Sequence, residues 1–184
     1  MSITKRLGSI LLALALTPAA VACTTAPTPT PSATSATPSP TPTPTTLSPA
    51  DQDLANAKQA VVRLWAVVDR LTNDPQSSLQ DLDTIATDKA LTMFQENLGR
   101  YRAAKFIGTG SSRVESLQAV AGGVNAAGLS TWTVTACVDG SETTLVDENG
   151  KSVQGPPYRI LHKATVVERT GALYVSDDVA EGTC

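Results

Sequence analysis

One histidine, three cysteines and an aromatic content of 4% are the scarce features of this 184-residue chain, and each scarcity excludes a class of function. So few His and Cys residues cannot supply the clustered nitrogen and sulfur ligands of a zinc site. No Ser sits in a GxSxG setting for His162 to activate, which argues against a serine hydrolase. No CxxC pair or neighbouring His supports a redox-active thiol. Gly108-Thr109-Gly110 and Gly122-Gly123 lack the Lys and the spacing of a phosphate loop, so both read as turns. Basic residues number 14 against 17 acidic ones, which removes the broad positive surface that a non-specific nucleic-acid binder needs. No metal or cofactor motif is found.

What is present begins with a leader. Residues 1–22 carry Lys5 and Arg6, then the apolar run Ile10-Leu11-Leu12-Ala13-Leu14-Ala15-Leu16, then small residues up to Cys23. This is the three-part pattern of a secretion signal, and its apolar run is short for a transmembrane span. The ending Ala20-Val21-Ala22-Cys23 resembles the lipobox of bacterial lipoproteins. That resemblance implies cleavage before Cys23, acylation there, with palmitate among the acyl chains, and residence on the extracytoplasmic face of the cell membrane. Two chains on one cysteine meet the two-anchor requirement for stable attachment.

Residues 23–49 form a lipid-anchored linker. Between positions 24 and 49 there are 8 Pro and 10 Thr, no charge, and one large apolar side chain, Leu47. Such composition buries too little apolar surface to offset its ordering entropy, so the segment is expected to be disordered. Repeated Thr-Pro pairs favour polyproline II, with a reach on the order of 80 Å.

The domain, residues 50–184, reads as helices followed by strands. Ser48 can cap a helix, Pro49 suits its first position and Asp51 favours its dipole. Leu54, Ala57, Val61, Leu64, Trp65, Val68 and Leu71 then recur at three- and four-residue spacing, predicting an amphipathic helix to about Leu71. A short helix is expected over 78–85. A third, capped by Thr87 and carrying Ala90, Leu91, Phe94, Leu98 and Tyr101, is expected to reach about Ala104, with Gly108-Thr109-Gly110 as its stop. Alternating strand patterns follow at 114–120, 129–138, 143–146, 158–169 and 173–179, with turn residues between them. Trp132, Val134, Ala136 and Val138 oppose Thr131, Thr133, Thr135 and Cys137, so one sheet face is apolar and the other largely polar. The expected class is α+β, with N-terminal helices packed on a curved antiparallel sheet.

That element order resembles the cone-shaped NTF2-like superfamily, which includes SnoaL-like and ketosteroid-isomerase-like proteins. Three stretches narrow it: Trp132-Thr133-Val134-Thr135-Ala136-Cys137-Val138-Asp139, Glu148-Asn149-Gly150-Lys151-Ser152, and Gly171-Ala172-Leu173-Tyr174-Val175 through Gly182-Thr183-Cys184. They resemble NTF2-like domains of lipoproteins from high-GC Gram-positive bacteria.

With Cys23 acylated, Cys137 and Cys184 remain, and an exported chain meets an oxidising compartment, so they are expected to pair. His162 shares the face Tyr158-Ile160-His162-Ala164-Val166, largely apolar, and is expected to be partly buried against a backbone or carboxylate partner. Asp177 and Asp178 would point to opposite faces of a strand and read as surface charges. Trp65 and Trp132 read as core. Ketosteroid-isomerase-like relatives use an Asp base and Tyr or Asp oxyanion donors around one apolar pocket. Here Tyr101, Tyr158, Tyr174, Asp69, Asp83 and Asp177 are available, but their spacing does not assemble one.

The leading reading is therefore a lipid-anchored, non-enzymatic binding or interaction module of the cell envelope. One alternative is a small-molecule binder or SnoaL-type enzyme using His162, Tyr158, Trp132 and Trp65 around the cone cavity. Another is an accessory subunit of an envelope assembly. A large cavity opening beside His162 would favour a small ligand, and a cone filled by Trp132, Tyr158 and helix side chains would favour an interaction module. Ligand, envelope partner and oligomeric state are not named by the sequence.

Overall fold

The computed structural model describes residues 47–153, 155 and 158–184. The expected signal segment, Cys23 and most of the linker lie outside them. Helix α1 (Pro49–Asn73) starts as its sequence predicts: Ser48 Oγ accepts from the Asp51 backbone N–H at 3.2 Å, and Pro49 occupies the first turn. Its apolar stripe buries Ala57, Ala60, Val61, Leu64 and Leu71 almost completely. Full burial of each large aliphatic among them is worth about 1.5–3 kcal/mol, and the two alanines allow close approach to the sheet. The helix ends where Asp74 takes extended backbone and its carboxylate accepts from Gln76 N–H and Ser77 Oγ.

The short second helix is a 3₁₀ turn, Leu79–Thr84. Helix α2 (Asp88–Ala103) lies where expected, but the Thr87 side chain makes no capping hydrogen bond. Its Oγ1 instead accepts from Arg169 Nη1 at 2.7 Å, while Arg169 Nη2 donates to Asp88 at 2.8 Å. The start of α2 is thereby tied to the distant end of a strand, a partner invisible to local pattern.

Six strands follow among the described residues: β1 (Ile107–Thr109), β2 (Arg113–Val124), β3 (Ser130–Asp139), β4 (Thr144–Val146), β5 (Arg159–Arg169) and β6 (Ala172–Thr183). All pairings between them are antiparallel. β2-β3-β5-β6 form a four-stranded sheet, and β1 and β4 a separate two-stranded one. The expected α+β class is therefore present, with three differences. The segment around Gly108 is strand rather than only a helix stop; a Cβ there would lie 2.7 Å from Thr72 and Asn73 atoms, so glycine permits the contact with α1. Gly122-Gly123 is no turn: β2 continues through it, because Gly122 packs against Thr131 where a Cβ would come within 2.6 Å of Oγ1. The chain reverses at 125–128, where Asn125 Oδ1 accepts from the N–H groups of Ala127 and Leu129. Finally, β6 runs four residues beyond 179.

Alternation along β3 is as the sequence predicts. Trp132, Val134 and Ala136 join Ala164, Val166 and Val175 beneath the α1 and α2 side chains Leu64, Phe94 and Leu98. The opposite face carries half-buried Thr131, Thr133 and Thr135. Cys137 is bonded to Cys184 across a sequence separation of 47, with Cα atoms 5.9 Å apart, as expected. Beside it, Arg159 donates to Asp139 at 2.9 Å and to the Cys184 carbonyl at 3.2 Å. Ser141 N–H donates to Asp139 at 2.9 Å, and that bond, more than the flanking Arg113 and Arg159, holds the Asp139 carboxyl down at about 2.

Closing a loop of this length in the unfolded chain costs entropy that the disulfide has already removed, about 4 kcal/mol in the chain-entropy account. The Cys137→Ser, Cys184→Ser double variant should lose stability on the order of 4 kcal/mol in urea unfolding. It should keep its helix and strand content by circular dichroism. A loss below about 1 kcal/mol would mean that β6 is held by pairing and burial alone.

Candidate functional site

At one end of the four-stranded sheet the helices do not cover it fully. A half-open cavity of about 460 Å³ remains, bounded by the C-terminal half of α1, the segment after α2, the β1–β4 pair and the ends of β3 and β5. Its size falls in the range of small-molecule sites. Trp65 and Val68 stand on its α1 wall, Tyr101 and Phe106 on the α2 side, and Tyr158, Ile160 and His162 along β5 and its approach. The expected cavity residues divide accordingly. His162, Tyr158 and Trp65 line this space, whereas Trp132 lies in the core and borders a different cleft near Ala50 and Leu54.

His162 occupies the apolar face predicted for it and is buried. Its Nδ1 lies 2.9 Å from Asp178 Oδ2, whose side chain is only 1% exposed. Asp178 is therefore not a surface charge. Irregular register between β5 and β6 brings it onto the covered face opposite Ala164, while Asp177 faces out toward Lys89. A carboxylate only accepts, so Nδ1 is the donating nitrogen toward Asp178; in the neutral imidazole Nε2 is then the acceptor. The Trp65 indole crosses the imidazole at 73° with centroids 4.8 Å apart, fixing the ring from the α1 side. Trp65 Nε1 and Asp178 Oδ1 are both buried with no hydrogen-bond partner among the described residues.

The second titratable wall group is Asp69, one helical turn beyond Trp65. Its carboxylate accepts from Ser112 N–H at 2.7 Å and Ser112 Oγ at 2.9 Å, pinning the start of β2 to α1. Burial nonetheless raises its pKa above the usual 3.8; desolvation outweighs the two hydrogen bonds from Ser112. No Lys or Arg among the described residues forms an ion pair with it, and none lines the cavity. Among those residues no group of three or more His, Cys, Asp or Glu is arranged to hold a metal ion. Sequence reasoning counted Asp69 and Tyr101 only as available and missed Phe106, since their convergence depends on where α2 ends relative to α1. Asp178 carried no local signal.

No protein-family model matches the sequence, and no curated protein matches it. Structural comparison finds the intermembrane space region of the chloroplast protein ARC6, at 10% identity and a TM-score of 0.54. The match spans 71% of this chain and 98% of that one. The two share a fold. A looser likeness, at a TM-score of 0.41 and 14% identity, is to Aln2 from a Streptomyces species, covering 74% of this chain and 93% of Aln2.

A carboxylate whose folded-state pKa is raised subtracts stability at neutral pH. The penalty fades as pH falls through the folded value and is gone below the unfolded value of 3.8. Asp69→Asn keeps an acceptor for Ser112 N–H, and its Nδ2 would donate to Ser112 Oγ, reversing the bond in which that hydroxyl now donates to the carboxylate. At pH 7 the variant should therefore unfold at higher urea than the parent chain, with the gap closing as pH drops toward 3.8. Equal midpoints across that range would show that the hydrogen bonds fully compensate the burial.

Proposed function

We propose that this chain is an extracytoplasmic, lipid-anchored protein whose NTF2-like domain binds a small molecule in the cavity beside His162. The observation that carries this reading is the half-open cavity itself. Trp132 and the large helix side chains fill the core, yet Tyr158 and Trp65 stand around an unfilled space with His162 in its wall. Ligand sites are typically concave, mainly apolar and furnished with a few convergent polar groups, and this cavity has that make-up. The NTF2-like assignment rests on helices preceding an antiparallel sheet, on the sequence stretches of β3 and β6, and on a cavity at the sheet's open end.

A second reading, proton-transfer catalysis, is favoured by one specific observation: Asp178 holds the His162 imidazole through Nδ1, as a carboxylate orients a general-base histidine. Neither Ser nor Cys among the described residues hydrogen-bonds that ring, so such chemistry would act on water or on a ligand C–H or O–H rather than through a covalent intermediate.

The anchor rests on the leader and on Cys23. No helix among the described residues is long and apolar enough to cross a membrane; in this proposal attachment comes from acylation of Cys23. Cys23→Ser should abolish incorporation of labelled palmitate and move the protein from the membrane to the soluble fraction. Unchanged fractionation would remove the lipid anchor from the proposal.

Native mass spectrometry of the full chain purified oxidised from an export host tests the cavity. A bound molecule lost on denaturation, and lost in a Tyr158→Ala, Trp65→Ala variant that remains folded, is the expected result. Adducts retained by that variant would place binding elsewhere.

A further inference from the structure

We infer that the cavity selects an organic cation: an ammonium group attached to an apolar body, and not a carboxylate, a phosphate or a neutral lipid. This rests on the reading of the cavity as a ligand site and adds the chemical class that the site takes.

Three observations converge. The chain has only seven aromatic residues, two Trp, three Tyr and two Phe, and four of them, Trp65, Tyr101, Phe106 and Tyr158, line this one space. Of these, Tyr101 and Tyr158 remain 38% and 41% exposed rather than being absorbed into the core. Aromatic faces carry negative quadrupole charge, and several of them around a space of this size form the kind of cage that holds ammonium groups. Asp69 supplies a formal negative charge to the same wall. Its hydrogen bonds among the described residues come from Ser112 alone, and no basic side chain there neutralises it. Burial disfavours the ionised Asp69, so a bound cation would relieve a cost already present in the folded chain.

The remaining wall groups agree. His162 lines the wall with Nδ1 committed to Asp178, and in its neutral form Nε2 is the ring nitrogen left to accept an N–H or O–H. An anionic ligand would find no Lys or Arg among the described residues of the wall, and its charge would lie near that of Asp69. Burying a charge without a partner is strongly unfavourable, so exclusion of anions follows from the same residues that favour cations.

A matched probe series separates charge from shape: 2-naphthylmethyl-trimethylammonium, 2-naphthylmethylamine, 2-naphthylmethanol and 2-naphthylacetate, titrated into the full chain and followed by tryptophan fluorescence and calorimetry. The two cations should bind about tenfold more tightly than the alcohol, and the carboxylate more weakly still. Asp69→Asn should reduce the cation-to-alcohol affinity ratio from about tenfold to about twofold or less. This comparison is independent of the wild-type series, which needs no variant to fold. Equal or tighter binding of the alcohol or the carboxylate overturns the cation assignment but leaves a ligand-binding cavity standing. Failure of all four probes to bind overturns the cavity reading, and the cation assignment with it.

Discussion

One constraint organises the domain: α1 must cover a one-sided sheet while being held at both ends. It packs against β1, β2, β3, β5 and β6, and the fully buried Ala57, Ala60, Val61 and Leu64 hold it close along its first half. Farther along, the wall-facing residues are Trp65, Val68 and Asp69, Leu71 is still buried in the core, and polar contacts add to the restraint of the helix. Asp69 binds Ser112 at the start of β2, and Asn73 Nδ2 donates to the Gly110 carbonyl at 2.7 Å. Continuous dry packing along the first half, and hydrogen bonds beside the buried Leu71 farther on, account for the open space at that end of the helix. Close-packed interiors do not tolerate voids of this size without supporting structure.

The charged side chains are deployed away from that space. Arg159 and Arg113 converge on Asp139 beside the disulfide, and Arg169 clamps the start of α2. Arg70 pairs with Asp81 and Lys105 with Glu148. Exposed pairs of this kind contribute little stability individually, with typical values of about 0–1 kcal/mol. Their larger consequence is spatial: these basic side chains have acidic or carbonyl partners on the periphery, and the cavity wall keeps one carboxylate and one oriented imidazole.

Much of this was legible in the sequence wherever structure follows local period. The stripe of α1, the alternation of β3 and the face carrying His162 were all readable because each depends on spacing within one element. The reading failed where a contact between distant segments decides the conformation. Gly122-Gly123 has the composition of a turn, but Gly122 serves close approach to Thr131 across a strand pair, and Gly123 supplies a positive φ at a register shift within β2. Thr87 has the position of a cap, but its hydroxyl is taken by Arg169. Asp178 has the pattern of a surface residue, but irregular register between β5 and β6 places it against His162. The cavity belongs to the same class, since its aromatic walls come from four separated points in the chain.

Asp69 shows why those long-range placements bear on function. A half-buried carboxylate with no ion-pair partner among the described residues is a cost that Asn at the same position would avoid while retaining contact with Ser112. Tyr101 and Tyr158 leave apolar surface in water at the cavity although aromatics are the largest stabilising residues available to a core. Trp65 is edged against His162 with its indole N–H unpartnered among the described residues. Each of these placements disfavours the domain slightly as a free-standing fold, and all of them border one space. Departures from local stability are expected at functional or strained sites, and their concentration around one cavity, rather than any one side chain, is what supports the proposed reading of this end of the domain.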